Sequence, residues 1–80
     1  MRLPRDLSGR ELAHGLCKHW EYREVNQEGS HLLLATEVPS HQRIAIPLHS
    51  SVNLRTLNGI LRTVAVHKGT TREAILKTIL

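Results

Sequence analysis

The sequence is poor in aromatic and sulfur-containing residues: it has no Phe, one Trp, one Tyr, one Cys and one Met. A single Cys cannot form an intrachain disulfide, so the disulfide framework of a small secreted domain is excluded and a reducing compartment is expected. No apolar run reaches the roughly 18 residues of a membrane span, and the N-terminus lacks the apolar core of a signal peptide. We therefore expect a cytoplasmic protein that does not contact the membrane.

Acidic residues are scarce in the second half of the chain. Residues 38–80 contain six Lys or Arg and one acid, Glu73, whereas residues 1–37 contain five basic and six acidic residues. The sequence pI is about 10.0, which favours an anionic partner or substrate. A chain of 80 residues forms one domain, here 1–80, and buries only about 60% of its unfolded surface, so a large internal substrate pocket is not expected.

Hydrophobic periodicity and turn residues predict six elements. A capping box at 8–11 starts the first helix, Lys68-Gly69 ends the second, and a further capping box is predicted over 70–73. Three strands joined by short links predict an antiparallel meander. The expected elements are a helix over about 9–18, strands over 20–27, 31–38 and 42–46, a second helix ending at 68, and a short C-terminal helix.

The predicted fold class is α+β, with helices on one face of a three-stranded antiparallel sheet. This α-β-β-β-α order, plus a short C-terminal helix, is similar to that of double-stranded-RNA-binding domains. The run Leu32-Leu33-Leu34 places apolar side chains on both faces of the second strand. The face away from the helices is therefore either covered or a contact surface for a partner protein.

The motif Gly29-Ser30-His31 precedes this strand. A flexible Gly and a small hydroxyl residue let the backbone turn sharply, which places the imidazole at the edge of the sheet. Composition alone favours a surface or capping histidine, because most histidines do no chemistry.

The segment 27–31, together with Ile-Pro-Leu-His at 46–49 and 57–62 in the second helix, resembles the HicA (YcfA-like) toxin family. Residues 3–12 and 71–73 resemble a sub-branch of it. Members of that family have a fold like that of double-stranded-RNA-binding domains and are the RNA-cleaving halves of type II toxin–antitoxin pairs. They are ribosome-independent mRNA interferases that a HicB antitoxin silences.

The resemblance implies that this chain is an endoribonuclease toxin with His31 as its catalytic residue, mRNA as substrate and a HicB-like antitoxin as partner. Contact with operator DNA is expected only through the antitoxin complex. The family usually carries Arg or Lys ahead of Gly-Ser-His, where this chain has Asn-Gln-Glu at 26–28. This difference leaves open an alternative, an RNA-binding module with weak or no cleavage.

Cleaving RNA without a metal requires a base for the 2′-hydroxyl proton, an acid for the leaving 5′-oxygen and positive charge near the phosphate. His31 is the predicted base. Ser30 is a candidate to hydrogen-bond the imidazole or the phosphate, and the alternative is a local turn bond. His49 is a candidate acid, and the alternative is that it orients its loop.

Basic residues on the third strand and the second helix are candidates for phosphate contacts: Arg43, Arg55, Arg62 and Lys68. Each alone is typical of a solvated face, but together they predict a basic patch. Six histidines without metal-ligand spacing predict no metal site, and no cofactor is expected. Cys17 is predicted to be a buried helix residue, and Trp20 and Tyr22 to be core residues rather than stacking platforms for bases.

Overall fold

The computed structural model describes residues 2–80 and shows an α+β domain of three helices and a three-stranded antiparallel sheet, which confirms the predicted fold class and element order. The elements are α1 (Gly9–His19), β1 (Arg23–Glu28), β2 (His31–Thr36), β3 (Gln42–Pro47), α2 (Leu54–Lys68) and α3 (Arg72–Ile79). Within residues 2–80, no helix combines the length and apolar character needed to cross a membrane.

The ends of α1 and α2 follow from local sequence signals. The Ser8 hydroxyl accepts a hydrogen bond from the Glu11 N–H, and the Glu11 carboxylate accepts one from the Ser8 N–H, both at 3.0 Å. This is the predicted capping box, and its hydrogen bonds lower the pKa of Glu11. At the C-terminal end of α2, Gly69 has a φ of 68°, a left-handed conformation that costs glycine little.

The predicted capping box over 70–73 is wrong by one residue. Thr71 is the N-cap of α3, and its hydroxyl accepts a hydrogen bond from the Ala74 N–H at 3.1 Å. Glu73 is therefore only the second helical residue, too early in the helix for the reciprocal bond of a capping box.

The first strand begins three residues later than predicted, at Arg23. The Trp20 N–H still donates to the Leu16 carbonyl at 2.9 Å, and Glu21 has a φ of 63°, so the chain turns before it extends. The second strand ends two residues early because the Thr36 hydroxyl accepts from the Val38 N–H at 3.2 Å and so starts a local turn.

The sheet is an antiparallel meander in the order β1-β2-β3, as predicted. Leu32, Leu34 and Thr36 of β2 are buried and point towards the helices, together with Ile46 of β3. The core also contains leucines, isoleucines and valines from the three helices, namely Leu12, Leu16, Leu57, Leu61, Val64, Ile75 and Leu76. The other face of the sheet, which we call the open face, carries alternate residues of the strands and leaves His31 exposed.

The aromatic residues are used in the fold. Tyr22 is buried and its hydroxyl donates to the Gln42 side chain, while the half-buried Trp20 indole donates to the Thr78 hydroxyl at 2.8 Å. Cys17 is half-buried on α1, and this burial raises the pKa of its thiol. Neither aromatic ring is displayed as a stacking platform.

Candidate active site at the first hairpin

His31 is held at the tip of a tight hairpin. Gly29 and Ser30 form the two-residue link between β1 and β2, and Gly29 has a φ of 58°, which few other residues adopt without strain. A Cβ at Gly29 would meet no atom within 4 Å, so the glycine is required by the backbone turn and not by packing. His31 follows as the first residue of β2, with its side chain exposed.

Two residues flank His31 in the sheet. Glu28 of β1 and Pro47 of β3 are its direct partners in the register. Side chains of directly paired residues in an antiparallel sheet point to the same face. The imidazole therefore lies between an exposed carboxylate on one side and a buried proline on the other.

The loop after β3 is fixed beside the hairpin by two backbone hydrogen bonds. The Leu48 N–H donates to the Ser30 carbonyl at 2.6 Å, and the Gly9 N–H at the start of α1 donates to the His49 carbonyl at 3.0 Å. His49 is exposed. The fold thus brings three predicted site residues, Ser30, His31 and His49, to one end of the sheet, although they come from two segments of the chain.

Within residues 2–80, no hydrogen bond from the Ser30 hydroxyl or from the His31 and His49 rings to another protein group is present. The local turn bond considered for the Ser30 side chain is therefore absent from this part of the chain, and the Ser30 carbonyl instead accepts from Leu48 of another segment. Accessible donors and acceptors of this kind can bind a substrate without first breaking a protein contact.

The open face connects this end of the sheet to a cationic end. His31, Leu33 and Ala35 alternate along β2, and Arg43 is the β3 partner of Ala35. At about 3.3 Å per residue, Ala35 lies about 13 Å along the strand from His31. Between them the surface is apolar, with half-buried Leu33 beside exposed Ala45.

The cationic end of the open face is a shallow hollow of about 260 Å³ lined by Arg23, Val25, Ala35, His41 and Arg43. The Glu37 carboxylate accepts hydrogen bonds from both His41 Nδ1 and Arg23 Nη2 at 3.0 Å. These bonds, His41 first and Arg23 second, lower the pKa of Glu37. Arg43 has no such ion pair within the described part of the chain, so its charge is available to an anion.

Arg55 and Arg62 form a second basic surface on α2. They are seven residues apart, so both lie on the same exposed side of the helix, with about 10 Å of axial rise between them. Arg62 also lines a cleft of about 300 Å³ between α2 and α3 with Arg72, whose Nη1 donates to Asn58 at 2.6 Å. The predicted basic patch is therefore divided between the open face and the side of α2.

Lys68 is not part of either surface. Its Nζ donates to the Thr36 hydroxyl at 2.9 Å and to the Val38 carbonyl, and it lies 4.8 Å from the centroid of the Tyr22 ring. Burial lowers its pKa, with a smaller opposing effect from Glu21. Lys68 thus links the end of α2 to the turn after β2, and its ammonium group is already occupied within the fold.

No family model, curated protein or solved structure matches the chain. Within residues 2–80, no group of three His, Cys, Asp or Glu side chains is placed to hold a metal ion.

Sequence reasoning missed two features of the open face. One is the pairing of Glu28 with His31, which a two-residue link between predicted strands could have indicated, since such a link fixes the register. The other is the Arg23–Glu37–His41 cluster, in which Arg23 of β1 contacts Glu37 of the link between β2 and β3, while His41 of the same link pairs with Glu37.

Proposed function

We propose that this protein is an endoribonuclease toxin of a type II toxin–antitoxin pair, which cleaves mRNA without a metal or a cofactor and acts in the cytoplasm. The observation that carries the proposal is the exposed His31 on a tight hairpin, at the end of an open sheet face that also carries Arg43. The resemblance of the Gly-Ser-His segment to the HicA family supports the same function.

The chemistry needs a group that moves a proton near neutral pH, and imidazole is the side chain suited to this task. A well-placed acid or base contributes about 10²–10⁴-fold to a rate. His31 supplies this group, while Ser30 and His49 lie beside it and are available to contact the scissile phosphate or the leaving oxygen. Slow cleavage of messages is sufficient for a toxin.

Arg43, Arg55 and Arg62 are the proposed contacts to the RNA backbone, because all three are exposed and lie in the half of the chain with excess positive charge. A HicB-like antitoxin is the proposed protein partner. To silence the site it must cover His31, and a stable complex of this kind buries at least about 1,200 Å² in total. The apolar strip of the open face offers a surface for that contact.

The test compares the purified protein with His31→Ala, and with His14→Ala as the matched control, since His14 is an exposed histidine on α1. RNA cleavage in the presence of EDTA and growth arrest on induction are measured. We expect His31→Ala to abolish both, with an unchanged circular dichroism spectrum, and His14→Ala to retain both. A His31→Ala variant as toxic as the unmodified protein would remove His31 from the mechanism.

The second candidate function is an RNA-binding module without cleavage, which the carboxylate of Glu28 beside His31 favours because its charge opposes the negative charge that develops on the phosphate during cleavage. Binding of RNA with a steep salt dependence, and no cleavage with the antitoxin present or absent, would establish it.

A further inference from the structure

The register of the hairpin places a carboxylate next to the proposed catalytic imidazole. Glu28 and His31 are the last pair of the β1–β2 ladder, directly across the Gly29–Ser30 link. Directly opposed residues have Cβ atoms about 4.5–5.5 Å apart and share a face. Both side chains are exposed on the open face.

The two groups are close without being bound to each other. Within the described residues, ion pairs join Glu37 to Arg23 and His41, and none joins Glu28 to His31. Both side chains therefore remain available to a substrate. In-line cleavage of RNA uses two proton carriers, because the attacking 2′-oxygen and the leaving 5′-oxygen lie on opposite sides of the phosphorus.

We infer that Glu28 is a second catalytic residue and acts as the general base, while His31 acts as the general acid in place of the base role predicted from the sequence; this inference rests on the proposed function. The Glu28 carboxylate takes the proton of the 2′-hydroxyl as the 2′-oxygen forms its bond to phosphorus. The bond from phosphorus to the 5′-oxygen breaks, and the His31 imidazolium gives its proton to that oxygen. The products are a 2′,3′-cyclic phosphate and a 5′-hydroxyl, and water returns the proton from Glu28 to His31.

Two residues near His31 carry a side chain that can accept the 2′-hydroxyl proton, Glu28 and His49, and Glu28 is its direct partner in the sheet. Pro47, the partner on the β3 side, carries no titratable group, and Ser30 offers a hydroxyl. The negative charge of Glu28 also opposes the approach of a phosphate. Removing the charge should therefore slow cleavage if Glu28 is the base, and speed cleavage if Glu28 only repels the substrate.

The experiment measures kcat and KM for cleavage of a short RNA oligonucleotide over a range of pH, with product ends identified by mass spectrometry. The variants are Glu28→Gln and Glu28→Lys. The matched control is Glu24→Gln, because Glu24 is an exposed glutamate of the same strand that pairs with Leu34 and so faces the helices. Circular dichroism and thermal unfolding check that each variant is folded.

We expect both Glu28 variants to lower kcat by about 10²-fold or more, while KM changes little or falls. The acidic limb of the bell-shaped pH profile of kcat should disappear in Glu28→Gln, and Glu24→Gln should retain the full profile. Faster cleavage by both Glu28 variants would show a repelling charge and overturn the inference. Unchanged rates would overturn it as well.

Failure of the inference differs from failure of the proposed function. If the unmodified protein cleaves RNA and His31→Ala does not, but Glu28→Gln keeps its rate and its pH profile, only the role of Glu28 is wrong. If the unmodified protein cuts no RNA under any condition tested, the proposed function is wrong and the role of Glu28 falls with it.

Discussion

Replacing Gly9 with Ala should destabilise this protein, although alanine is normally the better helix residue. Gly9 is the first residue of α1 and lies against the end of β3. A Cβ at this position would overlap the carbonyl oxygen of Pro47, and it would lie 2.9 Å from the Pro47 carbonyl carbon and 3.1 Å from the Leu48 Cα. All of these atoms belong to the backbone, so no side-chain rotation can relieve the overlap.

The opposing effects can be compared. Alanine in a helix is more favourable than glycine by about 0.5–1 kcal/mol. Overpacking costs about 1–3 kcal/mol. Separating α1 from β3 also weakens the hydrogen bond from the Gly9 N–H to the His49 carbonyl, which is worth about 1 kcal/mol. The net expectation is a loss of about 2 kcal/mol, which lowers the Tm of a domain of this size by roughly 10 °C.

Gly59→Ala is the matched control. Gly59 is exposed in the interior of α2, and a Cβ there meets no atom within 4 Å. This substitution should therefore stabilise the protein by about 0.5–1 kcal/mol. Urea unfolding followed by circular dichroism measures both variants. A Gly9→Ala protein as stable as the unmodified one would refute the close packing of α1 against the strand end that positions the His49 loop.

Three further predictions concern other parts of the fold. Burial raises the pKa of Tyr22 to about 12, so the stability associated with its neutral phenol is complete below about pH 10 and is lost as pH rises towards 12. Because the chain has one Tyr, a titration by ultraviolet absorbance reports this residue alone, and a midpoint near pH 10 would contradict its burial. Lys68→Met should cost about 1 kcal/mol in urea unfolding, since it removes the hydrogen bonds from the Lys68 ammonium to the Thr36 hydroxyl and the Val38 carbonyl, whereas the exposed Lys77→Met should change stability by less than about 0.5 kcal/mol. Arg43→Ala should make the salt dependence of RNA binding shallower by about 0.7 in the slope of log K against log salt; a slope equal to that of Lys77→Ala would exclude a phosphate contact at Arg43.

The open face carries the two ends of the proposed RNA site. Its histidine end carries Glu28 and His31, and its cationic end carries Arg43, with about 13 Å of strand between them. An RNA strand that reaches both ends crosses the apolar surface around Leu33. A silencing partner that covers this surface would block the histidine and the arginine together.

Local signals in the sequence were sufficient for most of the fold. The capping box at 8–11, the left-handed stop at Gly69 and the strand alternation of 42–46 are properties of neighbouring residues, and each was confirmed. The exposure of His31 also followed from its place after a Gly-Ser turn. The errors lay at element ends, where the Trp20 N–H closes the last turn of α1 and the Thr36 hydroxyl starts a turn after β2.

The sequence by itself determined the class of fold, the excess of positive charge in the second half and the turn that displays His31, because helix caps, alternation and glycine turns act over a few residues. Only the tertiary structure decided which charges are free. Lys68 and Arg43 have the same formal charge and come from the same half of the chain. Packing places Lys68 over Tyr22 with its donors occupied, and it leaves Arg43 on the open face. Contacts between residues far apart in the chain depend on how whole elements pack, and a local pattern carries no information about them.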